Sequence, residues 1–328
     1  MGTRVSVALC TYNGAEFLAA QLDSISRQTV LPAELVACDD GSTDATVEIL
    51  EAFGRDQSDI PVRIFRNETN LGTARNFFQA VRLCREELVL LSDQDDVWLP
   101  NRIACFLDSV DPLEDDVLWQ SDGWLVRGME RGRSLFQAYR VGERECRQIA
   151  NGRAGAVVAR KVFLTGAGLA LRRSFLLGVP EPVAPFLHDE WLGWFAGSRI
   201  ALMPVPTFLY RQHPGQQTGV DPSLRAQFRR LSAPQPGRSV TLQQGVAKFA
   251  ALAVVVSVSV AVTKGADFPN AKRLAAKNAF LSARLALQGR GPLRRAVGVV
   301  GLTIMGSYAR YGDGWRTAVK DLLGRYLL

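Results

Sequence analysis

Short apolar runs alternate with stretches of helical spacing along the first hundred residues. Val5 to Cys10 is an apolar, β-branched run that predicts a first strand, and Thr11-Tyr12-Asn13-Gly14 turns the chain out of it. Phe17, Leu18, Leu22 and Ile25 then recur at the spacing of one helix face. Leu35 to Cys38 predicts a second strand, and Ser42 or Thr43 can cap the helix that carries Val47, Ile49 and Leu50. Val62 to Phe65 predicts a third strand, with a helix after Asn70-Leu71-Gly72-Thr73-Ala74-Arg75-Asn76, and Leu88 to Leu91 predicts a fourth. Strands and helices alternating at this spacing imply a doubly wound, mostly parallel α/β sheet.

The polar residues fall where such a sheet binds ligands. Thr11–Asn13, Asp39–Asp40 and Asp93–Asp96 each follow a predicted strand, so they converge on the carboxyl edge. Asp93-Gln94-Asp95-Asp96 crowds three acids that repel one another unless a cation or a set of donors neutralises them. A hard cation such as Mg²⁺ takes oxygen ligands and fills its other positions with water and substrate phosphate. A metal–diphosphate site is one reading; an Asp-rich turn capping the helix that Pro100 opens is the other. Each segment alone fits either, but their shared edge favours the first. A G-x-G-x-x-G after the first strand and a Walker A loop are both absent, which excludes the Rossmann dinucleotide and P-loop classes. Carboxylates in place of cradling glycines suit a nucleotide held through base, ribose and metal.

Further on, Val117 to Gln120 predicts a strand ending at Ser121-Asp122, where Asp122 either faces a ligand or caps a turn. Within Phe163 to Leu171, Gly166 and Gly168 either let backbone approach a ligand or form a bulge. Pro180, Pro182 and Pro185 bring the chain in extended form to Phe186-Leu187-His188-Asp189-Glu190-Trp191, so a helix starts near Asp189, with Trp191, Leu192, Trp194 and Phe195 on its apolar face. On sequence alone Asp189 reads as a helix cap. Tyr210-Arg211-Gln212-His213 follows the strand-like Ile200 to Leu209, and the chain's two histidines, His188 and His213, both fall in these late segments.

Val7-Ala8-Leu9-Cys10-Thr11-Tyr12-Asn13, Asp39-Asp40-Gly41-Ser42-Thr43-Asp44, Asn70-Leu71-Gly72 and Leu91-Ser92-Asp93-Gln94-Asp95-Asp96 stand in the order of the signatures of family 2 glycosyltransferases. Over residues 4–105 the chain resembles that family, and its rhamnosyltransferase-like branch most. The resemblance implies a GT-A-like nucleotide-diphospho-sugar transferase fold. It implies that Thr11, Tyr12 and Asp39 hold the nucleotide, with Asn13, Asp40, Asn70 and Asp93 on the same side. Asp93 and Asp95 would form the D-x-D element, Asp95 being the direct ligand of a divalent cofactor, Mg²⁺ or Mn²⁺. His188-Asp189-Glu190-Trp191 is similar to the family motif that carries the catalytic base, which falls on Asp189 rather than Glu190. Phe163 to Leu171 is similar to the family's glycine-containing strand on the acceptor side, so Gly166 and Gly168, with Asp122, Glu190 and Trp191, would lie toward the sugar and acceptor. The Tyr-Arg-x-His segment would bring His213 to the metal or diphosphate, although Pro214-Gly215-Gln216-Gln217 stands where the family places an Asn. The implied activity is inverting transfer of a sugar, rhamnose from its deoxythymidine diphosphate fitting this branch, to a hydroxyl of a lipid-linked or polysaccharide acceptor.

Composition adds a division. The 328 residues carry a formal charge of +7, but residues 1–224 hold 22 Lys and Arg against 29 Asp and Glu, and residues 225–328 hold 17 against 3. The sequence therefore divides into a catalytic domain, 1–224, and a basic helical region, 225–328. In the latter, Arg225, Arg229 and Arg230 precede a linker at Pro234, Pro236 and Gly237. Phe249 to Val262 is an uncharged run between Lys248 and Lys264, shorter than the about 20 residues a spanning helix needs. Residues 271–288 predict a helix with Leu274, Leu281 and Leu285 on one side and Arg273, Lys277 and Arg284 on another. A second apolar run, Ala296 to Ala309, is flanked by Arg294, Arg295 and Arg310.

Basic helices with apolar faces lead to the expectation of peripheral contact with an anionic membrane, at its cytoplasmic face. A solvated helical subdomain or a homodimer contact is the competing expectation; nucleic acid is disfavoured because no aromatic-interleaved basic motif accompanies the charge. Five scattered cysteines without metal-ligand spacing read as small buried residues of a reducing compartment, and Val5 to Cys10 reads as a strand rather than an export signal. Two other classes compete for function. A receiver-like phosphotransfer domain uses Asp39 and Asp40 but leaves Asp93-Gln94-Asp95 and His188-Asp189 unexplained. A catalytically silent, membrane-associated glycan-assembly or glycan-binding protein makes Asp95 and Asp189 dispensable.

Overall fold

All seven residues of β1, Val5–Thr11, are buried, as a strand covered on both faces requires. The computed structural model describes residues 3–110, 117–161, 163–213, 238–262, 271–288, 290–312 and 314–323. Internal contacts divide these into two compact units. The first holds the described residues up to 152, 163–182 and 186–213; the second holds 153–161, 183–185 and those from 238 onward. A single boundary at 224 does not anticipate that 153–161 joins the second unit.

In the first unit β1 pairs in parallel with β2 (Glu34–Asp39) on one side and with β4 (Leu88–Asp93) on the other, and β3 (Val62–Arg66) pairs in parallel with β2. Three helices connect them: α1 (Ala15–Ser26), α2 (Thr46–Asp56) and α3 (Thr73–Leu83). Leu18, Leu22 and Ile25 of α1 are buried, whereas Phe17 lines a cleft, so only part of the expected apolar face packs into the core. Phe77 and Phe78 of α3 are fully buried, and such side chains contribute about 1.5–3 kcal/mol each.

Beyond β4 the sheet becomes mixed. β5 (Val97–Trp98) and β9 (Ile200–Arg211) form one antiparallel pair, and β6 (Leu118–Arg127) runs parallel to β9. β8 (Leu169–Arg172) lies antiparallel between β4 and β6, and β7 (Glu130–Ser134) hangs on β6 as a hairpin partner. The strand order is β3-β2-β1-β4-β8-β6-β9-β5. Two expectations need correction here. Asp122 lies inside the ten-residue β6, not at a strand end. Gly166 and Gly168 lie in a short 3₁₀ turn before β8, not in a strand. Both are close-packing positions: a Cβ on Gly166 would stand 2.2 Å from His188 Nε2, and one on Gly168 would stand 2.0 Å from Gln120 Nε2.

The second unit is helical, with helices at Arg238–Val262, Ala271–Gln288, Pro292–Ile304, Ser307–Tyr311 and Trp315–Leu323 beside Ala154–Arg160. Among the described residues no helix is long and apolar enough to cross a membrane. Two of the three cations of the stripe expected on 271–288 are engaged within the unit. Arg284 Nε pairs with Asp321 Oδ2 at 2.7 Å, and Lys277 Nζ donates to the Tyr311 carbonyl at 2.6 Å. The expected linker at 234–237, the arginines at 225, 229 and 230 before it and the Pro214–Gln217 departure lie outside the described residues.

Candidate active site

Parallel register brings the polar strand ends together. Thr11 stands opposite Asp39, and Cys10 opposite Asp93. The edge is then cross-tied. Thr11 Oγ1 donates to Asp39 Oδ2 at 2.9 Å, and Asp39 also accepts from the Gly41 and Ser42 backbone N–H groups. Asp39 is fully buried and its oxygens are occupied by its own loop, so it shapes the edge from behind the cleft wall. Asp40 reaches the cleft and accepts from the N–H groups of Leu71 (2.8 Å) and Gly72 (2.9 Å), while Asn70 Nδ2 donates to the Asp40 carbonyl. The Asn70-Leu71-Gly72 turn is thus strung on one carboxylate, and Gly72 takes φ 80°, which disfavours any side chain there.

Gln94 joins the first and fourth strand ends. Its Oε1 accepts from Tyr12 N–H at 2.8 Å and its Nε2 donates to the Tyr12 carbonyl at 3.0 Å. That clamp leaves the Tyr12 ring 50% exposed at the mouth of a cleft of about 790 Å³. Asn13 takes a left-handed φ of 47°, tolerable for Asn, and its Oδ1 accepts from Thr43 N–H at 2.9 Å. Thr11, Asn13, Asn70, Asp93 and Asp95 line the same cleft.

The Tyr210–His213 segment closes over the carboxylates. Arg211 Nη2 donates to the carbonyls of Phe17 (3.0 Å) and Asp96 (3.1 Å), which pins the end of β9. His213 stacks on Phe17 with centroids 4.2 Å apart and sets Nε2 2.9 Å from Asp95 Oδ2. Burial, with Asp95 and Asp189 adding repulsion, pushes the Asp93 carboxyl up to about 8. Asp96 is raised as well, and its Oδ2 is buried with no hydrogen-bond partner among the described residues. Among those residues no three or more His, Cys, Asp or Glu side chains form a metal cage. A crowded pair of acids beside one imidazole fits a cation such as Mg²⁺, which takes few protein ligands and leaves positions for substrate phosphate. Asp93, Asp95 and His213 are the residues that would hold it.

Asp189 sits in the first turn of α9 (His188–Ala196), one residue inside the helix start. Its Oδ2 accepts from Gly166 N–H at 3.2 Å and its Oδ1 from Glu190 N–H at 2.6 Å. The mutual repulsion with Asp93 means that the two carboxylates share one field. Trp191, expected toward the acceptor, is a core residue: it is fully buried, packs on Phe186 and Phe195, and donates Nε1–H to the Pro180 carbonyl. Asp122 is also turned inward, its Oδ1 accepting from Phe136 N–H at 2.9 Å. Glu190 is half-buried beside Asp189.

Two residues of this region had no signal in the sequence. Tyr139 lies within the field of Asp189, which adds to burial in raising its hydroxyl. Arg102 is fully buried under Trp98, Phe106 and Phe208. It donates to Thr207 Oγ1 at 2.8 Å and to the Ala167 carbonyl at 2.6 Å. Burial pulls its guanidinium down to about 9, with Asp96 and Asp93 opposing, so it stays charged at neutral pH as the internal counter-ion of the acidic cluster. Removing it as Arg102→Ala strands buried acids and is expected to cost about 3–5 kcal/mol, read by urea unfolding at neutral pH; an unchanged midpoint would refute the counter-ion role.

His188 yields a pH test. It is buried, stacks on Phe77 at 4.1 Å, and neither ring nitrogen has a hydrogen-bond partner among the described residues. Burial pushes its pKa down to about 3. The unfolded chain binds the proton near pH 6.5 and the folded chain does not, so this contribution is intact above 6.5 and lost as pH falls toward 3. Wild type should lose about 2 kcal/mol more than His188→Asn between pH 7 and pH 5. Parallel stability curves for the two would show that the ring is not held neutral.

The fold is that of the GT-A glycosyltransferases. The mannosyltransferase PcManGT of Pyrobaculum calidifontis, solved with GDP-Man and Mn²⁺, superposes with a TM-score of 0.54 at 20% identity, over 98% of this chain and 86% of that one. Residues 6–136 match the family model described as glycosyl transferase family 2. The dTDP-rhamnosyl transferase RfbG of Shigella flexneri is 27% identical over 236 residues, 68% of this chain and 78% of the relative. Glycosyltransferase GlyG of Streptococcus pneumoniae is 30% identical over 118 residues, 36% of this chain and 38% of that protein.

Proposed function

We propose that the chain transfers a sugar, with inversion, from a nucleoside diphosphate donor to a hydroxyl of a lipid-linked or polysaccharide acceptor. The observation that carries this is a cleft walled by the ends of β1, β2 and β4, into which Asp93 and Asp95 project with His213 Nε2 2.9 Å from Asp95. Tyr12 offers an exposed ring for the nucleotide base, and Asp40, Asn70 and Asn13 present polar groups to the same cleft. Asp95, with Asp93 and His213, would hold a divalent ion, which when bound would supply a Lewis acid for the charge of the departing diphosphate. The Asp189 carboxylate, oriented by the Gly166 and Glu190 N–H groups, takes the proton of the acceptor hydroxyl as that oxygen attacks the anomeric carbon. A base acting opposite the leaving group gives inversion.

The likeness to RfbG favours dTDP-rhamnose as the donor. A lipid-borne acceptor would put the reaction at the cytoplasmic face of a membrane. Incubation with dTDP-rhamnose or with UDP-sugars, in Mn²⁺ or in EDTA, should release nucleoside diphosphate only with metal. Release unaffected by EDTA would remove the metal from the reading, and no release from any nucleotide sugar would favour a silent glycan-binding protein.

A further inference from the structure

The helix Pro292–Ile304 has two unlike sides. One is docked: Val299 is buried, and a Cβ on Gly298 would stand 2.2 Å from Leu287 Cδ2, so the helix rests on Ala271–Gln288 through its smallest residue. On the other, Leu293, Val297, Val300 and Ile304 repeat at i, i+4, i+7 and i+11 and form a stripe along one face. All four are exposed, Leu293 by 80% and Ile304 by 81%. The helix Trp315–Leu323 repeats the pattern with exposed Trp315, Val319 and Leu322. Isolated apolar residues on a surface need no explanation, but two periodic stripes in one small unit do.

Charge selects what covers them. Asp321 is the one acid among the described residues of this unit. It is buried, paired with Arg284 and bonded to the Tyr308 hydroxyl at 2.7 Å. Arg290, Arg294 and Arg310 are exposed. Arg294 falls one residue after Leu293 on the helix and so lies at the border of the stripe, where a long stem can lie along apolar surface with its head in water. A second copy would bring the same positive surface against this one, and nucleic acid would answer the charge but leave the stripes in water.

We propose that the Leu293-Val297-Val300-Ile304 face, with Trp315, lies in the headgroup region of an anionic bilayer. The stripe enters the acyl boundary, Arg290 and Arg294 meet lipid phosphates, and Trp315 anchors at the interface. The inference goes beyond the transfer reaction and does not depend on it, since vesicle binding needs no donor, metal or acceptor.

The test is co-sedimentation of the full chain with vesicles of phosphatidylcholine alone or containing about one third phosphatidylglycerol. Wild type should bind the anionic vesicles at least about tenfold more tightly, and Val297→Glu/Ile304→Glu should remove about that factor. Both positions are exposed, so the double variant should keep its melting temperature within about 2 °C, which separates lost docking from lost fold. Arg294→Glu should weaken binding to anionic vesicles and leave the weak binding to phosphatidylcholine unchanged. The proposal is overturned by wild type that ignores phosphatidylglycerol or by a double variant that binds as wild type does. Light scattering that shows a dimer split by the double variant would overturn it in favour of a second copy, and duplex DNA binding without vesicle binding would do so in favour of nucleic acid.

Discussion

Asp189→Asn is expected to bind donor as wild type does and to lose about 10²–10⁴ in turnover. Asparagine keeps the size of the side chain and can still accept the Gly166 N–H at Oδ1, so the α9 start and the 3₁₀ turn should hold their positions. It cannot take a proton from a hydroxyl at neutral pH. The loss should appear in kcat with little change in donor affinity, because Asp189 is not among the residues lining the cleft that Tyr12 and Asp95 border. Steady-state kinetics and donor titration on the same preparation separate the two quantities. Turnover equal to wild type would remove the base from Asp189, and Glu190, half-buried beside it, would be the next carboxylate to test.

The second large effect is expected at Asp95. Asp95→Ala removes the oxygen 2.9 Å from His213 Nε2 and relieves part of the repulsion that raises Asp93. Metal-dependent nucleotide binding should weaken by at least about 100-fold, since even partners of a metal ligand are worth about 10–100-fold in affinity. Fold stability should hold or rise, because one carboxylate leaves a crowded cluster whose internal counter-ion, Arg102, stays in place. Opposite outcomes for the two carboxylates would be diagnostic: Asp189→Asn keeps binding and loses chemistry, whereas Asp95→Ala loses binding first.

Local pattern made the first hundred residues legible. Strands β1, β2 and β4 are largely apolar runs, and their polar endings follow those runs directly, so a topology rule brings Thr11, Asp40, Asp93 and Asp95 to one edge, while Asn70 came from the family resemblance. Sequence does not say which of two neighbouring acids turns outward. Asp39 and Asp40 look equivalent on paper, yet Asp39 spends its oxygens on Thr11, Gly41 and Ser42 while Asp40 reaches the cleft.

Residues that act through long-range packing were less legible. Arg102 sits at the start of α4 (Arg102–Ser109) and would normally be solvated there; its burial follows from β9 and the 3₁₀ turn closing over it, 105 and 65 positions away. Trp191 and Gly168 carried the character of ligand-facing residues but serve close packing, a distinction that needs the neighbouring Pro180 carbonyl and Gln120 side chain. In the basic region composition gave the sign of the charge but not its use: Arg284 and Lys277 turn inward to Asp321 and Tyr311, and the exposed stripe falls on the next helix.

The most direct measurement is calorimetric titration of wild type with dTDP, UDP and GDP in Mg²⁺, in Mn²⁺ and in EDTA, with Asp95→Ala alongside. A nucleoside diphosphate site built on Asp95 requires binding that appears with metal, vanishes in EDTA and is lost in the variant. No binding of dTDP, UDP or GDP under any of these conditions would contradict the donor site itself, and with it the assignment of the cleft.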